Sequence, residues 1–254
     1  MGVIPGGATV FSGIFCEPSL PDLLSSTEGV SAIGYRAGEV IFAEGDEGGK
    51  LYLVSQGRVR VGCHASDGRE CMFTVLGPSE IFGEDAALDS GPRTACAIAL
   101  TDLHGFSLTT RALVSLMTAD PGIAERLLRV LSRRIRWTTS NITDALHADV
   151  AARVAKKLLG FAQRFGVQEG SAMRVPMDLT QEQFAHLVGA SRESVNKALC
   201  DFNQRGWIRT EATSILICDT EPLMSRAQRQ RRQGRRSVGQ GRTRLEEDPM
   251  RICS

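Results

Sequence analysis

The sequence predicts an α+β chain: an N-terminal β-roll (a jelly-roll-like barrel), one long helix, and a C-terminal winged helix-turn-helix. Three observations predict it. Between residues 31 and 110, short β-branched and aromatic runs alternate with turn-rich stretches such as EGDEGG, SQG and LGPSE, the spacing of a barrel or sandwich of short strands. After Asp120, apolar residues recur three and four apart over roughly 26 residues, as in a coiled-coil helix. From Thr180 to Phe202, two short amphipathic helices bracket a glycine. The implied boundaries are 1–119 for the N-terminal segment and β-roll, 120–146 for the long helix, 147–224 for the winged domain and 225–254 for a tail.

The N-terminal region begins with a weakly patterned stretch in which Ser19–Ser26 suits a short helix. Strands are expected at Glu39–Ala43, Leu51–Ser55, Arg58–Cys63, Cys71–Leu76, Ala95–Leu100 and Leu103–Leu108. The strict alternation of Arg58, Val59, Arg60 and Val61 is that of a half-buried strand. Ile81–Ala95 breaks this rhythm. Gly83 and Glu84 suit the start of a helical turn, and Arg93 and Thr94 follow one loop later. Backbone N–H groups at a helix start, with one Arg and one hydroxyl, make an anion site, and Glu84 beside it suits a sugar hydroxyl. The same residues also suit an ordinary loop with surface charges.

The long helix has Asp120 as its cap and Pro121 at its first position. Its seam is Leu128, Leu131, Ile135, Thr138, Ile142 and Ala145, which predicts a dimer interface. Thr138 is polar in that seam and Thr139 lies beside it; such a hydroxyl sets register, faces a ligand, or bonds its own helix. A second amphipathic helix is expected over Asp149–Gly166, with Leu146–Asp149 as the hinge.

In the helix pair, Thr180 and Gln183 form a capping box, Gly189 makes the turn and Ser191 caps the second helix. Val195, Leu199 and Phe202 make one apolar stripe, leaving Arg192, Glu193, Asn196, Lys197 and Cys200 on the other face. Arg pairs bidentately with guanine and Glu accepts from cytosine, and both stand in the first turn, the part that reaches base edges in such motifs. The pattern thus points to double-stranded DNA; it also suits two capped helices with a solvated charged face. Trp207–Thr210 and Ser214–Cys218 are expected to form the wing. The tail is rich in Arg, Gln and Gly and nearly free of apolar residues, which predicts disorder.

Composition narrows the classes. Residues 1–120 carry 7 basic and 15 acidic side chains, and residues 121–254 carry 23 and 14; a basic C-terminal half suits a polyanion. The seven cysteines (Cys16, Cys63, Cys71, Cys96, Cys200, Cys218, Cys253) are scattered and contain no CxxC, arguing for free thiols and against a disulfide framework or metal centre. No signal peptide and no membrane-length apolar run is evident, so a cytoplasmic protein without membrane association is expected. No nucleotide-hydrolase, metalloprotease or serine-hydrolase motif is present, so no enzyme activity is expected.

FAEGDEGGKLYLVSQGRVRV, LGPSEIFGE, GPRTA and LVGASRESVNKAL resemble the cyclic AMP receptor/FNR-type bacterial transcription regulators, and among them the actinobacterial cyclic AMP receptor proteins. The resemblance covers about residues 12–224. It implies a homodimer that binds cAMP (with cGMP possible), reads a palindromic operator and contacts RNA polymerase. It places Gly83 and Arg93 at the cyclic phosphate, Glu84 at the ribose, Thr94 as a hydroxyl donor, Thr138 at the adenine of its own subunit and Thr139 in the partner's pocket. Thr180, Ser191, Arg192, Glu193, Asn196 and Lys197 would serve DNA binding. Asp85 and Ala86 stand where the family has a small apolar step, Thr94 replaces the commoner Ser, and Lys197 stands where some members have Arg. Two other readings follow: a constitutive DNA-binding regulator with a degenerate pocket, and a cyclic-nucleotide regulatory subunit for an enzyme.

Overall fold

Alternating side chains sort the N-terminal strands into two antiparallel sheets in the computed structural model, which describes residues 27–64 and 70–228. One sheet has the order β1 (Val30–Tyr35), β8 (Leu103–Thr109), β3 (Lys50–Gln56), β6 (Ile81–Phe82). The other has β2 (Val40–Phe42), β7 (Cys96–Ala99), β4 (Val59–His64), β5 (Glu70–Leu76). In contrast to the expected jelly-roll-like barrel, the two sheets face one another without closing. Edge strands of two and three residues (β6 and β2) offer too few backbone groups to stitch the edges together. Between the sheets the rings of Tyr52 and Phe82 stack at 4.9 Å, with Phe42 5.6 Å from Tyr52. Val59, Ala97 and Leu103 complete that core.

The outer face of the first sheet is covered by helices. α1 (Glu84–Leu88) is short; α2 (Thr110–Ala119) starts at Thr109, whose hydroxyl accepts from the Ala112 N–H. Leu113 and Leu116 of α2 pack with Leu51, Leu108 and Ala87, and with Ile123 and Leu127 of α3 (Pro121–His147). Asp120 caps α3 by accepting from the Gly122 N–H, with Pro121 at its first position. At 27 residues, α3 is about 40 Å long. Its first turns are buried in this core. Farther along, Leu128, Ile135 and Ile142 of the seam are 64%, 67% and 57% exposed, as is Leu146 beyond it at 71%, whereas Leu131 packs against the core.

The C-terminal part starts at α4 (Val150–Phe165), capped by Asp149, which also pairs with Arg226. A four-stranded sheet has the order β11 (Ile208–Thr210), β12 (Ser214–Ile217), β10 (Ala172–Pro176), β9 (Val167–Glu169). The expected two-strand wing is its β11–β12 edge; β9 and β10 are additional. α5 (Gln181–Val188) and α6 (Arg192–Gln204) form the helix pair. Residues 220–228 are helical, with Leu223, Met224 and Ala227 on the core, so helix continues past residue 224. The expected Ser19–Ser26 helix and the tail beyond 228 lie outside the described residues.

The two halves share one core. On β5, Thr74 pairs with Val61 but Met72 pairs with Gly62, so Phe73 is an extra, bulged residue. Leu76 therefore faces the sandwich, while Met72 and Val75 face Leu158, Phe161 and Phe184 of the C-terminal part. Phe165 rests on Gly77, where a Cβ would come within 2.7 Å of its ring. The guanidinium groups of Arg58 and Arg164 each lie 4.7 Å from that ring. Arg58 pairs with Asp178, and Arg164 pairs with buried Glu80 and donates to the Val75 carbonyl. Burial pushes the Glu80 carboxyl above its ordinary range despite the pull of Arg164.

Candidate ligand cavity and nucleic-acid interface

The break after β6 builds the first site. Gly83 adopts φ 72°, a left-handed conformation that glycine enters without strain, and so turns the chain from β6 into α1. This turn buries Glu84. Arg134 reaches across from α3 to pair with the Glu84 carboxylate and to donate to the Ile81 carbonyl at 2.8 Å. The second Glu84 oxygen is buried with no hydrogen-bond partner among the described residues. The Thr94 hydroxyl donates to the Asp85 carboxylate.

These groups line a cavity of about 710 Å³, within the range of small-molecule sites. Of the residues expected to meet a ligand, Gly83, Glu84 and Thr94 form part of its wall, and Thr138 adds the seam helix. Asp85 also lines it, so the carboxylate that departs from the family pattern faces the cavity. β4 and β5 contribute Val61, Cys71 and Thr74, α3 adds Trp137 and Asp144, and the C-terminal part adds Arg153, Lys156, Lys157 and His186. Arg134, Arg153, Lys156 and Lys157 against Glu84, Asp85 and Asp144 leave a wall that favours an anion. Lys157 lies 5.0 Å from the Trp137 ring, and burial, then the nearby Lys156 charge, lowers its pKa to about 8.

Two of the expected ligand residues are placed elsewhere. Arg93 is 3% exposed and lies behind the wall, donating to the Gly83 carbonyl at 2.8 Å and the Lys50 carbonyl at 2.7 Å. Its guanidinium sits 4.2 Å from the Phe42 ring. Arg93 thus braces the turn in this state. Thr139 is exposed, outside this cavity, and its hydroxyl donates to the Ile135 carbonyl at 3.0 Å. Arg134 escaped the sequence reading. The signal available was its spacing of four from Thr138, which puts the two on one helix face.

The helix pair carries the second site. Thr180 and Gln183 make the capping box in both directions, and Ser191 accepts from the Ser194 N–H. Gly189 ends α5 at φ 70°, and Arg153 donates to the Val188 and Gly189 carbonyls there. Val195, Ala198 and Phe202 are buried, while Arg192, Glu193 and Lys197 are exposed and Asn196 is half-buried. Gln181, absent from the sequence reading, accepts from both Arg192 (3.0 Å) and Asn196 (3.3 Å) and so ties the start of α5 to the polar face of α6. Among the described residues no group of three His, Cys, Asp or Glu is placed to hold a metal, and no helix is long and apolar enough to cross a membrane.

Comparison with known proteins separates the same two parts. The family model for a cyclic nucleotide-binding domain matches residues 33–120, and that for a Crp-like helix-turn-helix domain matches residues 152–226. The chain is 48% identical over 227 residues to a CRP-like cAMP-activated global transcriptional regulator of Mycobacterium tuberculosis, covering 89% of this chain and 100% of the relative. It is 31% identical to the cyclic AMP receptor protein of Thermus thermophilus over 69% of this chain and 78% of the relative. Among solved structures, a CRP-family transcriptional regulator of Thermus thermophilus superposes with a TM-score of 0.66 at 26% identity, covering 77% of this chain and 96% of that one. FixK2 from Bradyrhizobium japonicum does so at 0.68 and 23% identity, over 77% and 96%, a likeness of fold.

Proposed function

The chain belongs to the Crp-like family, in which a cyclic nucleotide-binding domain precedes a helix-turn-helix, and from that membership we propose that it is a transcription regulator that binds double-stranded DNA under the control of cAMP. It acts as a cytoplasmic homodimer on a palindromic operator, works with RNA polymerase and has no catalytic role of its own. One observation carries this reading. A single cavity is walled by the Gly83–Thr94 loop, by Thr138 of the seam helix and by Lys157 and His186 of the DNA-binding part. A ligand there touches the sensing loop, the dimer helix and the reading domain together.

The residues present suit a cyclic nucleotide. Glu84 keeps one buried oxygen free for a sugar hydroxyl. A ribose bound to Glu84 competes with Arg134 for that carboxylate, and the displaced guanidinium is then available to the phosphate. Because Arg134 stands on α3, the exchange transmits to the seam four residues on, at Thr138. The exposed seam of Leu128, Ile135 and Ile142 fits a second copy of the helix, and Thr139 is free to serve that copy's cavity. On α6, Arg192 and Glu193 address base edges, with Lys197 on bases or phosphate and Thr180, Ser191 and Asn196 in support. A ligand shifts such a two-state equilibrium only by its differential affinity for the two states.

Calorimetric titration with cAMP, and with cGMP as the control, tests the ligand. The expected result is micromolar or tighter cAMP binding that Arg134→Ala weakens at least about tenfold, a loss of 1.4 kcal/mol. Absence of heat from the folded wild-type protein rejects the ligand assignment. A second reading has its own observation: Asp85 already holds the Thr94 hydroxyl and adds a negative charge to the wall. In that case the protein is a constitutive DNA-binding regulator. Equal affinity for a palindromic duplex with and without cAMP, at fixed salt, selects this second reading.

A further inference from the structure

Cys63 and Cys71 are directly opposed residues of the antiparallel pair β4–β5. Opposed residues in such a pair have Cα atoms about 4.5 or 5.5 Å apart, according to whether the pair is hydrogen-bonded. Both separations lie within the Cα range of disulfides, roughly 4.4–6.8 Å. Their side chains share one sheet face, because opposed residues point the same way. A third thiol is close but differently aimed. Cys96 on β7 is opposed to Gly62, one position off, and its Sγ accepts from the Glu44 N–H at 3.3 Å. The pairing is therefore directed to Cys71.

The two thiols differ in reactivity. Cys71 is exposed and lines the cavity, whereas Cys63 is half-buried. Burial pushes the Cys63 thiol above its ordinary range, with Cys71, Glu44 and Cys96 adding to the effect. Cys71 is thus the thiol that meets a reagent first, and Cys63 the one that resolves the adduct.

We propose that Cys63 and Cys71 form a reversible redox site, converted to a cross-strand disulfide by exchange with a low-molecular-weight disulfide such as oxidised glutathione. The Cys71 thiolate attacks one sulfur of the reagent, forming a mixed disulfide and releasing one thiolate. The Cys63 thiolate then attacks Cys71 Sγ and expels the second. The protein is oxidised by two electrons, the reagent is reduced to two thiols, and the two cysteine protons end on those thiols or in solvent. The position gives the site something to act on. Glu70, beside Cys71, lies 3.7 Å from His186 of α5, and Met72 on the other side belongs to the core shared with the DNA-binding part. Oxidation therefore cross-links the strand that carries both the cavity rim and the docking face.

The test treats the full chain with oxidised glutathione and maps cysteines by mass spectrometry. The expected product is a peptide pair linked through Cys63 and Cys71, restored to free thiols by dithiothreitol. Under the same conditions Cys63→Ser keeps a glutathione adduct on Cys71 that persists at least about ten times longer than in the wild type, the advantage of an intramolecular over an external thiol. A wild-type adduct on Cys71 as long-lived as that of Cys63→Ser overturns the proposal, as does linkage of Cys71 to any cysteine other than Cys63.

Discussion

The helix pair and the cavity, the two sites proposed for recognition, are built by opposite means. In the pair, everything needed lies within 23 consecutive residues: Thr180 and Ser191 cap, Gly189 turns, Phe184, Val195 and Phe202 bury, and Arg192, Glu193 and Lys197 face outward. Binding groups and packing groups occupy opposite faces of the same helices. In the cavity, Glu84 is held by Arg134 fifty positions away, and Arg93 braces the turn that presents Glu84. There the same side chains fold the site and equip it. Function and stability should therefore be separable in the helix pair and entangled in the cavity.

The largest test of this contrast is Arg93→Ala. It removes two hydrogen bonds to backbone carbonyls and a cation–π contact from a site that is 3% exposed, and urea denaturation should show a loss of about 3 kcal/mol. A loss below about 1 kcal/mol would mean that Arg93 does not brace the turn.

Lys157→Met moves stability the other way. With its pKa lowered to about 8 from the usual 10.5, Lys157 costs the folded state most below pH 8, where it is charged both folded and unfolded. Between 8 and 10.5 the folded protein sheds a proton that the unfolded chain keeps, so wild-type stability rises with pH. The variant should be about 3 kcal/mol more stable at pH 7, and its advantage should shrink over that window. An advantage independent of pH would assign the gain to packing alone.

Thr180→Ala tests the cap of the helix pair and should cost about 1 kcal/mol, read as a lower thermal midpoint. Arg192→Ala should be the smallest in stability, within about 0.5 kcal/mol. It should nonetheless cost about 1–3 kcal/mol of specific DNA binding, measured by fluorescence anisotropy on an operator against a scrambled duplex. If Arg192→Ala destabilised the fold as Arg93→Ala does, the contrast between the two sites would collapse.

This division also governs how much was legible in the sequence. Caps, turn residues and apolar stripes act over a few positions, so Thr180, Ser191, Gly189, the Asp120–Pro121 start of α3 and the Asp149 cap of α4 were readable and stand where expected. β6 and β9, of two and three residues, were not seen, although the equally short β2 and β11 were expected within Glu39–Ala43 and Trp207–Thr210. β1 and β10 were missed as well, since Val30–Tyr35 and Ala172–Pro176 are strands by virtue of pairing with β8 and β12. Of the cavity, Gly83, Glu84, Thr94 and Thr138 were readable from local pattern only as one alternative, and the resemblance to a family gave each its role. Arg134 and Gln181 were missed because each acts on partners brought to it by the fold.

The extra residue at Phe73 gives β5 an arithmetic of its own. By offsetting the register between Thr74 and Met72, it lets one seven-residue strand supply Leu76 to one core and Met72 and Val75 to another. Such a strand is indifferent to what occupies position 73, which is 44% exposed, and its pairing does not depend on that residue. Deleting it would leave Thr74 opposite Val61 and Met72 opposite Gly62, now as neighbours in a regular strand, so every side chain would keep its face. Libraries that randomise this position, and variants that lack it, should both keep the two cores supplied, so the strand carries one residue more than its pairing needs.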